Sequence, residues 1–113
     1  MGKIDFLGFV KAFLNKTLTS QKPGILALAI SEIGKLPTTV SLVSYKASIA
    51  SAFASAVASN TRNLSGYQQF LIAGVAYQFG AYLNASVSDS FSTVEYRDKA
   101  IVVLTQFIER LKI

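Results

Sequence analysis

Hydroxyl groups abound in this chain, but the groups that would turn one into a nucleophile do not. Serines recur throughout, yet histidine and cysteine are both absent. A serine hydroxyl is a weak nucleophile until an adjacent base takes its proton, and histidine is the usual base near neutral pH. No Gly-x-Ser-x-Gly elbow occurs, so a hydrolase nucleophile has neither its turn nor its activating base. A Ser/Lys dyad would have to use Lys46, whose place at the edge of an amphipathic helix suits a snorkelling side chain better. The only acids are Asp5, Glu32, Asp89, Glu95, Asp98 and Glu109, and no two have a spacing that suggests a two-carboxylate site. Without Cys or His the common transition-metal ligand sets are missing, so neither a metal nor a cofactor is expected. Gly66, Gly74 and Gly80 match neither a dinucleotide-binding fingerprint nor a P-loop. The expectation is a protein that is not an enzyme.

What remains is a chemistry of surfaces. Hydrophobic residues make up 51% of the 113 positions and charged residues only 15%. An ordinary domain carries roughly 25% charge, so apolar or merely hydroxylated surface should be left for a partner to cover. Charge is also uneven along the chain. Of the net +5, all lies in the half ending at Arg62, where Lys3, Lys11, Lys16 and Lys22 are the candidate contacts to an anionic surface. The remainder balances its cations and carboxylates. Nucleic acid is therefore a candidate partner of the basic half and a membrane surface a weaker one.

The residues from Ser44 to Ser59 are mostly alanine and serine, with bulky Tyr45, Ile49, Phe53 and Val57 every fourth position. On a helix that spacing makes one ridge flanked by shallow walls. Ser44, Ala47, Ser48, Ala50, Ser51, Ala54, Ser55 and Ala58 are the candidate close-packing positions, joined by Ala73, Ala76 and Gly80 in the next helix. Whether each wall faces the interior or a partner is left open by periodicity alone.

Five helical segments and no strand are read from the pattern, giving an all-α bundle of four to five helices in a single domain over 1–113. The first runs from Lys3 to about residue 20, with Phe6, Val10, Phe13 and Leu14 on one face meant to dock on the bundle. Lys22-Pro23-Gly24 is read as a break, and Ile25 to Lys35 as a short helix buried on nearly all sides. Thr38 or Thr39 is the expected N-cap of the third helix, which stops near Asn60. Ser65-Gly66-Tyr67-Gln68 and Ser92-Thr93-Val94-Glu95 both have capping-box spacing, and Phe91 is placed to staple onto Tyr96. Glu95 and Lys99 are spaced as an i,i+4 pair. The phenylalanines and tyrosines, at helical spacing among aliphatics, read as core.

Asn63 to Ser88 is 26 residues without a charge, but its strongly apolar part is only 14 residues, Phe70 to Leu83. A bilayer span needs about 20 apolar residues, so a soluble bundle is expected over a two-span hairpin. Neither a secretory leader nor a myristoylation signal is recognisable, the latter failing at Phe6. An intracellular or virion-associated location is the corresponding expectation. The helix from Ser65 shows amides at Gln68, Gln69 and Gln78 but no cation, which argues against a DNA-reading helix. The composition thus points to a subunit that packs into a homo-oligomer or larger complex, such as a connector or neck component of a virus or bacteriophage particle. The alternative is a small basic adaptor for nucleic acid or an anionic membrane.

Overall fold

The computed structural model describes residues 5–112, except for the side chains of residues 75 and 76. Four helices and no strand occupy the described residues: α1, Phe6–Gly34; α2, Leu42–Asn60; α3, Gly66–Ser86; and α4, Thr93–Glu109. The expected start at Lys3 lies outside the described residues.

The main departure from the sequence reading is at Pro23, which sits inside α1 and does not break it. Proline lacks the N–H that would bond back to the Thr19 carbonyl and crowds the turn before it. Pro23 and Thr19 are both on the exposed side, where that carbonyl can be hydrated. On the other side Leu14, Leu18, Ile25, Ala29 and Ile33 form one continuous buried stripe, and the hydrophobic gain along it holds the two halves in one helix. The expected docking of the first helix is correspondingly partial. Leu14 and Leu18 are buried, whereas Phe6 and Phe13 face solvent.

Helix α2 begins later than expected. Ser41, and neither Thr38 nor Thr39, is its N-cap, its hydroxyl accepting from the Ser44 amide at 3.3 Å. Both anticipated capping boxes are formed. At Ser65 the reciprocal bonds to Gln68 are 3.2 Å each. At Ser92 they are 3.2 and 3.3 Å, and Glu95 spends its carboxylate there, making no ion pair with Lys99.

The helices form a square in which α1 and α3 each pack on α2 and α4. Lys22 Nζ donates to the Glu109 carbonyl at 3.2 Å, while the Thr93 hydroxyl donates to the Val40 carbonyl at 3.5 Å, so α4 runs antiparallel to α1. Gly24 lies against the Asn60 side chain and Gly80 against Ala50, which sets α2 antiparallel to both α1 and α3. This is an up-down-up-down bundle. Its core is an aromatic cluster in which Phe53, Phe79 and Phe107 from α2, α3 and α4 meet with ring centroids 4.6 to 5.7 Å apart. The N-terminal part of α1 continues past Lys22 and its contact with the end of α4, with Leu14 and Leu18 still covered and Phe6, Phe9 and Phe13 exposed. The molecule is accordingly long, 58 × 25 × 19 Å.

Candidate interaction site

The bulky ridge of α2 points inward as its spacing predicts: Tyr45, Ile49, Phe53 and Val57 are all buried. Two small residues, Ala52 and Ala56, go in with it. The rest of the shallow walls stay outside. Ser44, Ala47, Ser51, Ala54, Ser55 and Ala58 are exposed and Ser48 and Ala50 half-buried. On α3, Ala73 is exposed and Gly80 half-buried, and the side chain of Ala76 lies outside the described residues.

Most of the outward positions border one feature, a groove along the α2–α3 seam. Its lower hollow, about 360 Å³, is lined by Ala54, Ala58, Ala73 and Tyr77. The middle one, about 670 Å³, shares Ala54 and Tyr77 and adds Ala50 and Gly80. The upper one, about 490 Å³, shares Ala50 and Gly80 and ends at Lys46 and Asp89. The groove exists because Gly80 and Ala50 oppose one another: a Cβ on Gly80 would sit 4.0 Å from that of Ala50, so nothing bulky stands above the contact. Ser48 and Ser55 instead line a hollow on the α1 side of α2, with Glu32 at its rim, and Ser51 borders both that hollow and the middle of the groove.

Sequence reasoning placed the aromatic residues in the core, and the structure corrects this for several of them. Tyr77 is 88% exposed and Phe70 72% exposed, standing two turns apart on the outer side of α3. Val43 is 80% exposed at the top of α2. The signal was present: Phe70 and Tyr77 are a heptad apart in a stretch without charge, with Ala73, Gly74 and Ala81 on the same side. Aromatic groups on that side belong with the small residues and not with Phe79.

The polar residues that could do chemistry have structural partners. Lys46 forms an ion pair with Asp89 across the top of the groove, and its ammonium lies 5.5 Å from the centre of the Tyr96 ring. No serine lines the hollow that Lys46 borders. Gln68 is consumed by its capping box, and the Gln69 amide donates to the carbonyls of Thr61, Arg62 and Leu64, closing the α2–α3 turn. Among the described residues no three acids are grouped as metal ligands would be. Of the four candidate lysines, Lys3 lies outside the described residues, Lys16 is exposed, Lys11 is half-buried and Lys22 is tied to the end of α4.

Burial pushes the Tyr96 hydroxyl up to about 12, with the Asp89 carboxylate acting in the same direction. The Tyr45 hydroxyl is also raised, chiefly by burial, with Arg97 opposing the shift and Asp98 adding to it. Both hydroxyls are enclosed without a hydrogen-bond partner.

No protein-family model, curated protein or solved structure matches this chain.

Proposed function

We propose that the protein is a non-catalytic assembly subunit whose α2–α3 face packs against another copy of itself. The observation that carries this reading is the groove, uncharged in its lower and middle parts, with Tyr77 and Phe70 standing beside it: a surface with both knobs and recesses, on a molecule poor in charge. Like charges discourage contact between basic copies, and the Asn63–Ser88 stretch offers a long surface without any.

The register of the two helices would let the face meet a copy of itself about a two-fold axis. With a two-fold axis at the level of Tyr77, Phe70 of each copy comes within about a turn of the partner copy's Ala47 and Val43, and the two Tyr77 rings meet near Ala54. Two helices side by side present about 560 Å² per copy, or roughly 1,100 Å² in all, the lower end of specific interfaces. A component of a virus or bacteriophage particle is the narrower form of the proposal.

Native mass spectrometry or light scattering at tens of micromolar should return a multiple of 12.2 kDa. Ala54→Leu tests the surface itself. Since Ala54 is exposed, the fold should be kept, while overpacking of the contact weakens association by about 1–3 kcal/mol, or about 5- to 150-fold. A strict monomer for the native chain, or an Ala54→Leu variant that associates unchanged, would sink the reading.

A further inference from the structure

Among the described residues the bundle gathers the excess of positive charge at one end. Lys11, Lys16 and Lys22 of α1, Arg62 of the α2–α3 turn, and Arg110 and Lys112 after α4 share that end with only Asp5 and Glu109. Towards the opposite end Lys35, Lys46, Arg97 and Lys99 are equalled in number by Glu32, Asp89, Glu95 and Asp98, three of them in ion pairs. The basic end also carries an apolar stripe. Phe6, Phe9 and Phe13, at i, i+3 and i+7, are 72%, 71% and 55% exposed, and face about 120° away from the buried Leu14 and Leu18.

We propose that this end docks on an anionic lipid bilayer, with Phe6, Phe9 and Phe13 in the boundary between headgroups and acyl chains and the exposed cations of that end, Lys16, Arg62, Arg110 and Lys112, drawn towards the headgroups. An amphipathic segment with an apolar stripe and neighbouring cations partitions into that boundary by burial plus attraction to anionic lipid. No described helix is long and apolar enough to cross a membrane, so the attachment is interfacial. A second copy is a poor occupant, because an end-to-end contact would bring two basic clusters together. Nucleic acid is also a poorer fit: phenylalanine offers phosphates nothing, and the three rings form an unbroken stripe and do not alternate with cations as base-stacking platforms do. The inference is independent of assembly through α2–α3, whose groove lies elsewhere on the molecule.

The test is co-sedimentation of the full chain with sucrose-loaded vesicles of phosphatidylcholine, with and without about 30% phosphatidylserine. Binding to the anionic vesicles should exceed binding to the neutral ones at least tenfold and fall as salt rises. The triple variant Phe6→Gln, Phe9→Gln, Phe13→Gln should lose at least tenfold while keeping its helical circular dichroism, since all three rings are exposed. Lys16→Gln, Arg62→Gln, Arg110→Gln should lose about a hundredfold, at roughly fivefold per cation. Equal or absent binding to the two vesicle types overturns the proposal, as does an undiminished phenylalanine variant. So does tighter binding to duplex DNA that ignores the phenylalanines. Loss of the oligomer in the phenylalanine variant would make this end a protein contact and also overturn it, whereas failure of the assembly reading registers separately, in Ala54→Leu.

Discussion

Two tyrosines show how much a single polar atom weighs inside this bundle. Tyr45 and Tyr96 are wholly buried, and their hydroxyls are enclosed without a partner. A buried polar group left unpaired costs about 1–3 kcal/mol, so Tyr96→Phe should stabilise the fold by about 1 kcal/mol or more, measured by urea unfolding at neutral pH. The same ring sets an alkaline limit. With the Tyr96 hydroxyl at about 12 in the folded chain and near 10.0 when unfolded, the folded form holds its proton longer. Its contribution is complete below pH 10 and is lost as pH rises from about 10 to about 12, because there the unfolded chain releases the proton first. Thermal melts across that window should show the native chain losing stability more steeply than Tyr96→Phe.

Among the elements, α1 is the one whose local chemistry and tertiary setting disagree. Pro23 argues for a break, and the stripe from Leu14 to Ile33 argues for continuity and prevails. The disagreement leaves a measurable residue. Pro23→Ala would restore the bond from residue 23 to the Thr19 carbonyl and should raise stability by about 1–3 kcal/mol, read as a higher urea midpoint at unchanged slope. An unchanged or lowered midpoint would mean that proline's restriction of the unfolded chain outweighs the missing bond. The helix starts at Ser65 and Ser92 were legible because a capping box is local: four consecutive residues supply both reciprocal bonds. The start at Ser41 was less so, since Thr38, Thr39 and Ser41 all carry suitable hydroxyls and the turn after α1 decides which one meets the helix.

Taken whole, the molecule has one core, two exposed apolar features and a polarity of charge along its length. Phe53, Phe79 and Phe107 bring three helices together, so Phe79→Ala should cost about 3–5 kcal/mol. Against a total stability of about 5–15 kcal/mol for a domain of this size, that is a large share, and a calorimetric melting temperature should fall by well over ten degrees. Tyr77→Ala, from the same helix, removes no core contact and should barely move the melting temperature of the monomer. The groove beside α2 and α3 and the phenylalanine stripe of α1 lie on separate parts of the molecule, which allows one to join copies while the other meets a surface.

Periodicity alone determined the inward ridge Tyr45–Ile49–Phe53–Val57, the all-helical class and two of the helix starts, because these depend on neighbours within a few residues along the chain. Tertiary structure decided which small residues are covered, Ala52 and Ala56 inside and Ala54 and Ala58 outside, since a shallow wall packs equally well against its own bundle or a partner. It also decided where the charge lies. Along the chain the excess belongs to the first half, but the antiparallel course of α4 carries Arg110 and Lys112 back beside Lys22, and the balanced segments gather at the other end. Charge acts through distance in space, and only the folding of the helices onto one another sets that distance.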